Sequence, residues 1–253
     1  MKIKALVKSL ALTAGLVASF SSSADFMDFQ IDERPYGGEI ITADKFNGGY
    51  TEIVSFDNAG NFTAEAAVTI SQIFGSDGTA NGSQLNSVMG SSYKLYALFN
   101  ASGSISAGEQ GADVSLRADT GSFSLYLDAD DNFGVEVEGL PDDEYELSGT
   151  EGDILLGSSD AILENIALLY GFGGVFDFRW GDFELTTQGE EYFVAPAPFH
   201  DFLITDGDFD AIELEGSQRT TGDVSAVFVP EPSTIAILAL GLLGLGATSR
   251  RKS

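Results

Sequence analysis

The 253 residues contain no cysteine, one histidine, one tryptophan and only 12 lysines and arginines. Without thiols there is no disulfide framework, no thiolate metal centre and no cysteine nucleophile. A single histidine is a poor basis for the usual zinc ligand sets. Against the 12 bases stand 39 acids, a formal charge of −27, so a phosphate backbone would meet a repelling field and nucleic acid is excluded as a partner. What the chain does have is apolar material. Hydrophobic residues make up 43% of it, with 19 Phe and 8 Tyr, too much for simple disorder and enough to fill a sizeable core.

The two ends read as addresses. Lys2, Lys4 and Lys8 precede a mostly apolar run from Leu10 to Phe20, and Ser22-Ser23-Ala24 supplies small residues for cleavage. Residues 1–24 are therefore expected to be a secretory signal peptide, with the mature chain starting near Asp25. At the other end, Pro232 to Ser249 is a run of 18 uncharged residues, closed by Arg250, Arg251 and Lys252. As a helix it would rise roughly 27 Å, enough for a thin bilayer core of about 30 Å, and the basic triplet would act as a membrane stop on the cytoplasmic side. Just before it, Pro230, Glu231 and Pro232 keep the backbone extended, in a form that a processing enzyme can grip.

This order of Pro-Glu-Pro, apolar helix and basic end over residues 230–253 resembles the PEP-CTERM sorting signal. The resemblance implies export from a Gram-negative bacterium, transient anchoring in the inner membrane, and processing by an exosortase, a membrane enzyme associated with exopolysaccharide production. Pro230, Glu231 and Pro232 would then be recognised by an enzyme rather than act as one.

The ends hold six of the bases and only one acid, Glu231, which leaves 38 acids and 6 bases in residues 25–229, a net charge of −32. Such a body repels nucleic acid and anionic lipid and attracts cations. Its hydropathy alternates with a period of two, as in Ser122-Phe123-Ser124-Leu125-Tyr126-Leu127-Asp128 and Asp182-Phe183-Glu184-Leu185-Thr186. Tyr93 to Phe99 is apolar on both faces. Further strands are expected at 50–56, 61–71, 133–138, 174–178, 201–205 and 222–228. Between them stand turn-like runs: Asn47-Gly48-Gly49, Asp57 to Asn61, Asp77-Gly78, Asn81-Gly82 and Asp206-Gly207. Residues 73–92 read as a long loop, and Asp160 to Tyr170 as either the one helix or a strand. The expected fold is all-β, a single antiparallel sandwich-like domain over 25–229.

Several blocks together resemble the flocculation-associated PEP-CTERM proteins of the PepA family: Ala43 to Glu52, Leu95 to Phe99, Ser124 to Asp128, Phe183 to Thr187 and Tyr192 to Phe199. The resemblance implies an exported protein that helps cells and exopolysaccharide aggregate, and it carries no catalytic residue onto this chain. The residues themselves offer little catalysis. No Gly-x-Ser-x-Gly elbow occurs, and His200, the only possible histidine base, is expected at the surface or at a strand end. Glycoside cleavage needs two carboxyl groups on a sugar-binding face, for which Trp180 would be a thin stacking platform.

Calcium is the one cofactor to consider. Asp57, Asn58 and Asn61 crowd one turn; Asp128, Asp130 and Asn132 begin like an EF-hand; Asp206, Asp208 and Asp210 form a third oxygen-rich stretch. Both Asp-x-Asp stretches miss the glycine and the final glutamate that an EF-hand loop needs, as Phe133 and Gly139, then Ala211 and Ser217, stand there. The expectation is a non-catalytic protein of exopolysaccharide-associated aggregation, its partners being exopolysaccharide or neighbouring cells. The alternatives are a carbohydrate-binding or glycoside-cleaving protein and a passive surface coat.

Overall fold

Period-two alternation over stretches of ten or more residues builds long strands, each with one apolar and one polar face. The computed structural model describes residues 27–75, 87–136 and 146–229. The main strands are β3 (Lys45–Phe56), β4 (Asn61–Phe74), β5 (Lys94–Ala107), β6 (Val114–Asp128), β10 (Ala161–Tyr170), β11 (Gly173–Gly181), β14 (Phe202–Phe209) and β15 (Gly216–Val229). Shorter pieces lie between them: β1 (Phe29–Asp32), β2 (Ile40–Ala43), β7 (Gly134–Glu136), β8 (Glu146–Ser148), β9 (Ile154–Ser159), β12 (Glu184–Leu185), the one-turn helix α1 (Thr187–Tyr192) and β13 (Phe193–Ala195).

The eight main strands follow one another as antiparallel neighbours in chain order. The ring closes where β15 lies along β3, from Gly216 opposite Phe56 to Ala226 opposite Phe46. β6 spans the join on the other side, pairing with β10 near its start and with β9 near its end. The expected sandwich is thus corrected to a barrel: all-β and antiparallel, but one sheet closed on itself. Closure pairs what would otherwise be two long exposed edges.

Two runs read as turns lie inside strands. Gly48 sits in β3 at a bulge against β4, where an added Cβ would fall 2.2 Å from the carbonyl oxygen of Thr69. Gly207 sits in β14, where a Cβ would fall 2.1 Å from the carbonyl oxygen of Asp223. Both glycines let one backbone approach another in the barrel wall. The stretch from Asp160 to Tyr170 is strand from Ala161 onward, not helix. At 182–186 only Glu184 and Leu185 pair, because Thr186 caps α1 by accepting the Gly189 amide at 3.0 Å. The signal-peptide segment, residues 77–82 and the sorting tail lie outside the described residues.

Inside, one end of the barrel is plugged by an aromatic cluster under β1, β2, β13 and α1. Phe29, Phe46, Phe193, Phe199 and Phe228 meet there, with ring centroids 4.7 Å apart for Phe193 and Phe199 and 4.9 Å for Phe199 and Phe228. Burying each such ring contributes about 2 kcal/mol by transfer from water. At the opposite end stand hairpin turns and the 210–215 loop, with Phe56, Phe62, Leu116 and Phe209 beneath them.

Candidate functional site

The middle of the barrel is not filled. A cavity of about 90 Å³ runs from Phe46 and Phe123 near the plug to Phe62, Leu116 and Ile212 near the opposite end. Its wall is mostly hydrocarbon, as the inward phase of each strand requires, with Asn47, Thr205 and Thr220 as neutral polar members and Glu52 as the one carboxyl group. Thr220, Glu52, Ala66, Phe99 and Phe123 stand directly opposite one another on five successive strands and line the cavity. They put a carboxyl group into an apolar ring. Glu52 keeps some accessible surface, but that surface faces the hollow; protein encloses the carboxyl and burial alone lifts its pKa to about 7. None of the lining residues is basic. Nor does Glu52 accept a hydrogen bond or form an ion pair among the described residues. The hydroxyl of Thr220, in the adjacent cross-strand position, is buried and without a partner as well.

A second buried glutamate shows what a structural carboxylate looks like here. Glu33, fully buried under the plug, accepts from Tyr93 Oη at 2.5 Å, from the Val88 amide at 3.1 Å and from Ser87 Oγ. Tyr93 in turn bonds Tyr192 Oη at 2.7 Å, and burial drives both phenols above their ordinary pKa. Glu33 is satisfied by three donors; Glu52 has none among the described residues.

Outside the wall, a groove of about 990 Å³ crosses the outer faces of β3, β4, β14 and β15. Thr51, Thr69, Thr221 and Asp223 contribute to its floor, with Asp208 and Asp210 beside them. At its side projects Phe172, 87% exposed and stacked on Tyr170 at 5.7 Å. Asp208 accepts from the Asp223 amide at 3.1 Å and Asp210 from Thr221 Oγ1 at 2.9 Å.

The carboxylates singled out in sequence are spread over three places. Asp128 is fully buried, and its oxygens accept the amides of Asp130 at 2.9 Å and of Asn132 and Phe133 at 2.6 Å each. It organises the turn that lays Phe133 on Tyr96, at 3.8 Å between ring centroids. Asp57 does the same for Ala59 and Asn61, at 2.8 Å each. Asp206 and Asp208 share the outward phase at the end of β14, and Asp210 follows just beyond it. Asp206 is held above the ordinary carboxyl range, first by desolvation and then by Asp177 paired opposite it. Among the described residues no three acid or histidine side chains converge closely enough to hold a metal ion.

His200 and Trp180 are corrections. His200 is buried against the plug and bonded to the backbone of Asp28, and burial lowers its pKa. Trp180 is fully buried, donating from Nε1 to Thr205 Oγ1 at 3.3 Å, so it offers sugars no platform. Glu52 and Phe172 were missed. The signal for Glu52 was present: Tyr50, Val54 and Phe56 define the apolar phase of β3, and Glu52 is the one charge on it.

Pro230, Glu231, Pro232, Arg250, Arg251 and Lys252 lie outside the described residues. A model of the PEP-CTERM protein-sorting motif matches residues 228–252, so the match begins on the last two residues of β15. No curated protein and no solved structure matches the chain. The motif implies an exported protein that an exosortase processes, at the cell surface of a Gram-negative bacterium.

Proposed function

We propose that this is a non-catalytic extracellular protein of exopolysaccharide-associated cell aggregation, released after its sorting tail is cut. The observation that supports the reading is the junction at β15. Phe228 is packed in the plug and also opens the sorting motif, so the barrel hangs from the tail by its closed end. Before cleavage the opposite end and the outer groove are left free of the membrane. That groove combines an exposed aromatic ring with threonine hydroxyls and carboxylates, the mixture that stacks on a sugar face and accepts from its hydroxyls. A polysaccharide is neutral enough, or bridged enough by cations, to approach a body of this charge.

Deleting the gene and measuring floc formation beside polysaccharide output tests the role. Normal aggregation with normal polysaccharide would remove it. Pull-down of the exported protein with native matrix polysaccharide, with and without chelator, tests the contact. Phe172→Ala should weaken retention at least several-fold while leaving the melting temperature unchanged, since the ring is exposed. Release of new reducing ends during the incubation would instead identify a sugar-cleaving enzyme.

A further inference from the structure

Of the two enclosed glutamates among the described residues, only Glu52 has no hydrogen-bond or ion-pair partner, and it alone lines the unfilled cavity. A charged or polar group in hydrocarbon is costly unless something satisfies it. Glu33 shows that this chain can satisfy one completely when the role is structural. Among the described residues, the acceptors left over at the cavity wall are the Glu52 carboxylate, the Thr220 hydroxyl facing it across the β3–β15 pair and, farther along β3, Asn47 Oδ1; only the first two stand opposite one another. Cross-strand neighbours of this kind have Cβ atoms about 5 Å apart, so one donor group reaches both. With no basic side chain in the lining among the described residues, the missing complement is positive. The surrounding body, at −32 over residues 25–229, concentrates cations from the medium.

We propose that the barrel interior is a binding site for a small free organic cation, a primary alkylammonium with a chain of about four carbons. Its ammonium sits on Glu52 and Thr220, and its chain lies among Val54, Phe62, Ala64 and Phe99. The length follows from the space. A cavity of about 150 Å³ accepts benzene, so one of about 90 Å³ takes a short aliphatic chain and no more. Three N–H donors suit a carboxylate and a hydroxyl better than a lone hydroxyl group would, and the apolar wall excludes the bulk water that would compete. The site lies on the inner side of the barrel wall, sharing only Tyr50 and Phe209 with the lining of the outer groove, and does not depend on the role in aggregation.

The protein carries its own reporter. Trp180, the single tryptophan, stands 5.7 Å edge-on to Phe99 and 6.4 Å from Phe178, and both phenylalanines line the cavity. Full-length protein at pH 8 would be titrated with n-butylammonium, 1-butanol and butyrate while Trp180 emission and heat are recorded. Saturable binding of butylammonium is expected, at least tenfold tighter than 1-butanol, with none for butyrate. Glu52→Gln should lose at least tenfold in butylammonium affinity and leave the alcohol unchanged. Ala66→Leu, which fills the cavity and spares the carboxylate, should abolish both signals. Equal affinity for the amine and the alcohol overturns the proposal, as does full affinity in Glu52→Gln or no response to butylammonium at 50 mM. Should either variant fail to fold, the three ligands compared on the unmodified protein still decide the question.

Discussion

Replacing Asp128 by alanine would separate a structural carboxylate from a calcium ligand. Its oxygens hold three backbone amides, those of Asp130, Asn132 and Phe133, at 2.6–2.9 Å. A hydrogen bond to a charged group contributes about 1.5–3 kcal/mol net, and an amide left unsatisfied when buried costs its desolvation. The three are not equal. Asp130 and Asn132 are exposed and their amides can turn to water, while Phe133 is buried between the turn and Tyr96. The expected total is therefore about 3–4 kcal/mol, rather than the sum of three full bonds. For a body of this size that corresponds to a fall in Tm of roughly 6–16 °C. Asp128→Asn, which keeps one oxygen acceptor, should lose about half as much.

Thermal melts followed by near-ultraviolet circular dichroism suit the question. The Phe133, Tyr96 and Tyr126 rings form a stack, with centroids 3.8 Å and 5.0 Å apart, whose signal should weaken in the variant even below its Tm. Adding calcium or chelator should leave both melts where they are. A Tm within about 2 °C of the parent would refute the reasoning, because a carboxylate with three amide donors cannot be lost at so little cost. So would a loss that appears only when calcium is present.

Other expectations follow from the same packing. Folded Glu52 retains its proton up to about pH 7, whereas the unfolded chain releases it near the ordinary value of 4.5. Stability should therefore fall as pH rises between these values, by about 3 kcal/mol, and stay level above them. Among the described residues, the only other titratable group lining the cavity is the Tyr50 phenol, pushed further above its ordinary pKa by burial, so the parent-minus-Glu52→Gln difference in chemical denaturation should isolate this slope; a flat difference refutes it. Gly48→Val would drive a side chain into the Thr69 carbonyl and should cost about 3 kcal/mol or prevent folding, read as loss of soluble export; a parental Tm would show that the bulge can move. Trp180 emission should resist acrylamide until the barrel is denatured, and ready quenching of the native protein would contradict its complete burial.

Strand content was legible because alternation is local. Ser122 to Asp128 displays its two faces within seven residues, and the structure pairs that stretch on both sides. Glycine was ambiguous for the opposite reason. Asn47-Gly48-Gly49 has turn composition, yet what sets its conformation is the Thr69 carbonyl across the sheet, which no window around residue 48 contains. The aspartates misled in a similar way. Clustered oxygens suggest a cation, whereas the donors that Asp128 meets are amides of its own turn, a use that depends on how the following chain curls back. Glu52 could have been noticed as a charge on the apolar phase of β3, but not its isolation. That depends on Thr220, Ala66 and Phe99, brought beside it by three different strands.

By itself, then, the sequence determined what nearest neighbours control: an antiparallel β composition, an acidic exterior, and a C-terminal sorting motif read as a linear string. Tertiary structure alone decided that the sheet closes rather than stacks, that Trp180 and His200 go inside, and that one carboxyl group faces an empty apolar space. Those outcomes hang on β15 finding β3 and β6 finding β10, pairings between distant segments whose register depends on how side chains from all eight strands fit together.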